Sequence, residues 1–432
     1  MSRSARFRGG ASRARGYHRA VTAKRSLVPA LLVILAACRT ATPPPTANPR
    51  IDAMRTFLGR DDLTRAFAAV TADHDATIAQ WRMLTEIPAP SGHEQKRADA
   101  VEALLREYGL TDVHRDAAGN VMGTRKGTGG GHHVVLDAHL DTVFALDTNV
   151  KTRMENGKLY APGIGDDTRN VAALLAAIRA MNAANLQTKG DLTFVFTVEE
   201  ETNFRGVNQF LEDHKGAIDR YLTFDGGYEN FTYGGIGIYW HRYHILGPGG
   251  HTRSSNPPYS ATLPLARAID RIYKLKVPSN AWINVGMLRG SDVFNAKAAD
   301  AWMSMDLRSN DEPTLKRLDA EIQRIVQEEA KRAGMTMRRD VDSTEEVASL
   351  PGHRNSEMVQ TVEAIYRAMG FNPAITDTAS NHTSAALRAG IPAVGMGMAP
   401  CEGSHGLDEN CEIEPIFNGI QRTIVLAAAL SD

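Results

Sequence analysis

His139 and Asp141 stand two residues apart in the run Asp137-Ala-His-Leu-Asp-Thr-Val143. Residues two apart on a strand share a face, and an imidazole and a carboxylate on one face can hold a borderline metal such as zinc. The same pair also describes an ordinary strand-end hydrogen bond. Gly163-Ile-Gly-Asp-Asp167 precedes an alanine-rich segment. Its glycines allow a tight turn, and its acids are placed either for a cation or as plain helix N-caps. Glu199-Glu-Glu201 follows an apolar run. Such acids are either a solvated loop or a buried cluster that needs a cation or a proton to offset its repulsion. Asp225, in Phe224-Asp-Gly-Gly227, adds a carboxylate, and His405, in Gly403-Ser-His-Gly-Leu-Asp408, a second imidazole. Two histidines with several carboxylates and no thiolate form a borderline-hard donor set, suited to two zinc ions or to cobalt or manganese.

These residues need a frame that converges them. Amphipathic patterns over 62–84 and 93–108 predict helices, separated by the breaker Ile87-Pro-Ala-Pro-Ser-Gly92. The β-branched, apolar runs 133–139, 192–198 and 221–225 predict strands, and the alanine-rich run 170–181 predicts a buried helix. Strands alternating with helices imply an α/β fold, a mainly parallel sheet with helices on both faces. His139, Asp141, Glu200, Glu201 and Asp225 then fall at the carboxyl ends of strands, where open sheets of this kind place their sites. The middle of the chain reads differently. Strands in 236–246, 281–287 and 299–307 and helices in 262–273 and 312–334 give a β-α-β-β-α order, that of a small ferredoxin-like domain. Helix–strand alternation returns after about residue 355. The expected organisation is a catalytic domain of 61–231 and 351–432, interrupted by a lid or dimerisation domain of 232–350.

A chain of 432 residues, 43% apolar and 23% charged, can bury a large core and divide into domains. A net charge of -1 gives no global attraction for nucleic acid. The first 25 residues carry Arg3, Arg6, Arg8, Arg13, Arg15, Arg19, Lys24 and Arg25 and no acid, and the apolar run 27–37 ends in Leu35-Ala-Ala-Cys38. Read as a nucleic-acid arm, the basic segment would stand alone. Read with the apolar run, it is the n-region of a secretory signal, and the cysteine looks like that of a bacterial lipobox. The run is too short to span a bilayer. The expectation is a signal peptide over 1–38, lipidation at Cys38, a proline-rich tether over 39–60, and a lipid-anchored protein of the bacterial cell envelope, facing the periplasm. A coincidental apolar stretch is the alternative. Export would let Cys401 and Cys411 pair, although two free thiols fit the sequence equally.

Taken in order, His-Leu-Asp-Thr-Val, Gly-x-Gly-x-Asp, a Glu-Glu pair, an Asp and a late His resemble the peptidase T, glutamate carboxypeptidase and aminoacylase family of co-catalytic zinc hydrolases. The resemblance runs from about residue 80 to the end. Phe224-Asp-Gly-Gly and Tyr243-His-Ile-Leu-Gly-Pro-Gly-Gly-His251 look most like the peptidase T branch. It implies two zinc ions per chain, one held by His139 and Asp225 and one by Glu201 and His405, with Asp166 bridging. Asp141 would orient the His139 ring, and Glu200 would be the general base and acid. An alternative register makes Glu199 the base and Glu200 the ligand; 200/201 is preferred because Gly206 then completes Glu-Glu-x-Gly-x-x-Gly. His251 and Arg308, with Asn295 beside them, match lid residues that reach the substrate, and a guanidinium fork suits a carboxylate terminus. The resemblance also implies a homodimer through the lid.

The chain departs from the family pattern at two places. Thr168-Arg169-Asn170 replaces the usual Lys-x-Gly, and Asn203 stands where a glycine is expected. Neither removes a ligand. The implied activity is hydrolysis of short peptides. An amidohydrolase of N-acyl amino acids shares the same ligands, and a non-catalytic binding lipoprotein predicts a lost ligand or base.

Overall fold

The computed structural model describes residues 48–432; the leader, Cys38 and the first part of the tether lie outside them. The strands Val134–His139 and Leu192–Thr197 are buried along their whole length. They lie near the centre of an eight-stranded sheet whose spatial order is Thr111–Arg115, Val121–Arg125, Leu192–Thr197, Val134–His139, Arg220–Phe224, Ala393–Met396, Asn230–Thr232 and Ala374–Thr376. Val134–His139 runs parallel to both neighbours, and Ala393–Met396 runs parallel to Arg220–Phe224. Antiparallel pairs sit toward the edges.

Burial on both faces follows from the alternation of side chains. Leu136 and Ala138 join the core beneath helices Thr168–Ala183 and Pro415–Leu430. Val135 belongs to a separate cluster with Val207 and Phe210 of helix Arg205–Asp213 and Ala385 and Ala386 of helix His382–Arg388. The expected α/β architecture, with helices on both faces, is the one observed. The chain leaves Val134–His139 for Leu192–Thr197 on one side and then crosses to Arg220–Phe224 on the other. That reversal makes the carboxyl end of Val134–His139 the switch point at which open sheets form a crevice.

The lid is a four-strand antiparallel path, Ala281–Asn284, Asp300–Ser309, Gly237–Leu246 and Thr336–Glu345, with Leu288–Arg289 paired alongside. Helices Thr262–Tyr273 and Glu312–Arg332 cover one face. Along Asp300–Ser309 burial alternates strictly. Met303, Met305 and Leu307 point to the helices, leaving Trp302, Asp306 and Arg308 on the open face. The chain enters and leaves the lid at one place, where the Gly235 N–H donates to the Ala348 carbonyl at 2.8 Å and the Ala348 N–H donates back at 3.0 Å.

Three expectations need correction. The tether does not reach residue 60: Pro49–Leu58 is a helix, N-capped by the Asn48 side chain, and it packs on helix Glu357–Ala368. Met54, Phe57 and Leu58 meet the core at helical spacing, which the preceding prolines obscured. The segment 62–84 is two helices, Asp61–Ala72 and His74–Thr85, broken at Asp73. The lid also has a last strand, Thr336–Glu345, that completes a β-α-β-β-α-β order; its half-exposed, charge-rich sequence carries no apolar alternation. Among the described residues no helix is long and apolar enough to cross a membrane.

Candidate metal centre

His139 ends its strand with Nε2 3.0 Å from Asp166 Oδ1 and Nδ1 3.3 Å from Asp141 Oδ1. Asp141 is fully buried. It accepts the backbone N–H of Glu200 and of Glu201, each at 3.0 Å, and the Ser91 hydroxyl at 2.7 Å. One carboxylate therefore faces the His139 ring and anchors the turn that carries both glutamates. On the far side, His405 Nε2 lies 3.2 Å from Asp166 Oδ2 and 3.2 Å from Glu201 Oε1. Asp166 thus stands between the two histidines, one oxygen toward each. The donor atoms fall into overlapping groups, His139 with Asp166, Asp167 and Asp225; Asp166 with Glu201 and His405; and His139 with Glu200 and Glu201, and within each group they lie within 4.8 Å of one another.

The electrostatics of this crowding ask for positive charge. Burial pushes the Glu201 carboxyl up to about 7, and burial together with neighbouring carboxylates raises Glu200 and Asp225. The bond to Asp166 lifts His405 to about 9. Burial alone would raise Asp141, yet the His139 ring and the Ser91 hydroxyl hold it down at about 2. Glu201 Oε1 is buried and, although His405 Nε2 lies 3.2 Å away, is not hydrogen-bonded. Buried carboxylates with an unsatisfied oxygen are stabilised by a coordinated cation, so this donor set fits metal ions. An Nδ1–H held toward Asp141 would leave His139 Nε2 as the free lone pair.

A supporting layer was not anticipated. Buried Asp167 accepts the His139 backbone N–H at 3.0 Å. Buried Glu94 accepts Gly92 N–H at 2.8 Å and Glu199 N–H at 3.1 Å, fixing the start of the glutamate turn. Buried Glu409 accepts the N–H groups of Gly163 at 2.7 Å, Gly165 at 2.8 Å and Asp166 at 2.7 Å. Asp137 pairs with His382 Nδ1 at 2.7 Å on the same sheet face as His139. Only Asp137, an acid inside an apolar strand, left a local signal. His405 sits on a hairpin of a small sheet formed by Cys401–Glu402, Asn410–Glu412, Lys158–Tyr160 and Arg153–Glu155, closed by a Cys401–Cys411 disulfide. Glu199, Phe204 and His405 adopt positive φ (55°, 57° and 66°), the kind of backbone strain that collects at functional sites.

The lid residues lie apart from this cluster. His251 and Asn295 come together on a short exposed ribbon, where the Thr252 N–H donates to the Asn295 carbonyl at 3.0 Å. Arg308 Nε donates to Asp306 at 2.9 Å. The hydrogen bonds of all three stay within the lid. A cleft of about 720 Å³ opens over Asp166 and Asp225 and runs past Arg169 and Tyr228 to Glu229 and Glu412.

A two-histidine, multi-carboxylate cluster at the switch point of an α/β sheet defines a candidate metal centre. The model of Peptidase family M20/M25/M40 matches residues 135–429, more than half of the chain, and the protein belongs to that family. It is similar to carboxypeptidase G2 of Pseudomonas sp. (strain RS-16), 27% identical over 259 residues, which are 56% of this chain and 62% of that protein. The chain thus matches less than two thirds of that relative's length. Its fold is similar to that of a tripeptidase from Staphylococcus aureus subsp. aureus Mu50, with a TM-score of 0.75 and 21% identity, covering 83% of this chain and 98% of the other. The aminopeptidase PepT of Bacillus cereus ATCC 10987 gives a TM-score of 0.71 at 18% identity, covering 83% and 99%.

Proposed function

We propose that the protein cleaves short peptides with two divalent metal ions, zinc first among them, held in the cleft over Asp166. The observation that carries this reading is the placement of Asp166 between His139 and His405, with Glu200 buried beside them. His139 and Asp225 would hold one ion, Glu201 and His405 the other, and Asp166 would bridge. Bound metal supplies Lewis acidity, lowering the pKa of water and polarising a carbonyl.

The remaining work falls to the chain. Asp141 keeps the His139 ring in one orientation and ties the glutamate turn to it. Glu200, whose proton affinity burial raises above that of an exposed glutamate, takes a proton from the attacking water and returns it to the leaving amine nitrogen. Arg308, on the open face of the lid, would bind a substrate carboxylate, with His251 and Asn295 at the lid's other substrate-facing edge. Relatives that are a tripeptidase and an aminopeptidase support a short-peptide substrate.

The Cys401–Cys411 disulfide supports export to an oxidising compartment, and we place the protein in the bacterial cell envelope on a lipid at Cys38. The exposed Trp240, Trp282 and Met287 support a homodimer through the lid. The test of function is a panel of di- and tripeptides and N-acyl amino acids incubated with zinc-, cobalt- and manganese-loaded protein. Cleavage of peptides alone is expected; cleavage of N-acyl amino acids alone would replace this reading by a deacylase.

A further inference from the structure

Thr168, Arg169 and Asn170, the residues at which the chain departs from Lys-x-Gly, form the first turn of helix Thr168–Ala183, and all three are buried. Each spends its side chain on a different piece of the metal centre. The Thr168 hydroxyl donates to the Gly163 carbonyl at 2.6 Å, closing the loop that carries Asp166. Asn170 donates to Asp167 and accepts the Met398 N–H at 3.0 Å. Arg169 reaches furthest. Nη1 donates to the Ala399 carbonyl at 2.8 Å, in the segment that leads into the His405 hairpin, and Nη2 donates to the carbonyl of Gly226, the residue after Asp225. Glycine is needed at 397 chiefly because a Cβ there would meet the Gly226 carbonyl that Arg169 binds, with Nη2 itself 2.7 Å away.

We infer that Arg169 is a positioning residue for the metal centre, its guanidinium fork holding the Asp225 and His405 segments at a fixed spacing from Asp166. This rests on the metal reading of the site. A planar fork can satisfy two carbonyls on separate loops at once, whereas a lysine ammonium on a flexible stem is a point donor. Arg169 is not a substrate clamp. Each Nη donates one of its N–H groups to a backbone carbonyl and Nε is buried without a partner, so the guanidinium is held by the frame rather than left free to swing onto a substrate carboxylate.

Charge and position predict opposite results. Arg169 lines the same cleft as Asp166 and Asp225, and a fixed positive charge there repels cations, so a purely electrostatic role predicts tighter metal binding when it is removed. A positioning role predicts weaker binding, and predicts it for lysine as well as for a neutral side chain. The experiment is zinc titration of the metal-free full chain by competition with a chromophoric chelator, for wild type, Arg169→Lys and Arg169→Met, with circular dichroism to establish folding. We expect wild type to take up two ions, and both variants to bind at least one of them about tenfold or more weakly while keeping the wild-type spectrum. If Arg169→Met does not fold, Arg169→Lys decides. Variants that bind as tightly as wild type, or more tightly, overturn the inference alone. A wild type that binds no metal overturns the metal reading and this inference with it.

Discussion

At the residue scale, the proposed mechanism turns on Glu200. It is buried beside His139 and Glu201, its backbone is pinned to Asp141, and among the described residues no lysine or arginine pairs with its carboxylate. Glu200→Gln keeps the shape and removes the base. It is expected to lower kcat by roughly 10² to 10⁴ with metal content unchanged, measured by steady-state rates and elemental analysis of the same preparation; an unchanged rate would remove Glu200 from the mechanism. The raised Glu201 and His405 give a pH prediction for the metal-free protein. For Glu201 the folded carboxyl, at about 7, binds a proton more tightly than an unfolded glutamate, so the folded state is favoured at low pH and loses that advantage as pH rises from 4.5 to about 7. For His405 the same sign holds from 6.5 to about 9. The melting temperature of chelator-treated protein is therefore expected to fall between pH 5 and 9, and added zinc to reverse the fall at the alkaline end. A rise with pH in the metal-free protein would contradict the assigned surroundings of both groups.

At the element scale, strand ends and two loops bring the candidate ligands together, and buried carboxylates hold those loops. Glu409 takes three backbone N–H groups from the Gly163–Asp166 loop. In Glu409→Gln the amide must turn a donor toward one or more of them. A loss of about 1–3 kcal/mol is expected, read as a lower denaturation midpoint with weakened metal uptake; an unchanged midpoint would mean that the loop holds itself. This scale also explains what the sequence revealed. His139, Asp141, Asp166, Glu201, Asp225 and His405 were legible because each follows a strongly apolar strand or a glycine-marked turn, and together they occur in a recognisable order. Glu94, Glu409 and His382 were not, because their partners lie far along the chain and nothing local distinguishes them from ordinary acids and histidines; Asp137 stood out only as an acid inside an apolar strand, which does not name its partner. Strand Thr336–Glu345 escaped for a related reason. It lies at a sheet edge, so half-exposed charged residues suffice there.

At the scale of the whole molecule, the lid hangs from the paired Gly235 and Ala348. A few side-chain contacts add to that join, including Asn310 Nδ2 to Asp377 at 2.9 Å. Arg308 meets Asp306 rather than the metal cluster, so its proposed hold on a substrate carboxylate competes with that pair. Arg308→Ala is expected to raise KM about tenfold with a smaller change in kcat, and an unchanged KM would take Arg308 out of substrate binding. The apolar side chains on the lid lead us to expect a dimer. Light scattering should give twice the chain mass at micromolar concentration; a monomer at all concentrations would leave Trp240 and Trp282 needing another explanation.

The central claim is that peptide hydrolysis depends on two metal ions sharing Asp166. The most direct test is the rate of tripeptide cleavage by metal-stripped protein as zinc is added in measured equivalents. The account predicts negligible cleavage without metal and a rate that climbs to a plateau at two equivalents per chain. Full activity in the stripped protein, or a plateau at one equivalent, would contradict it.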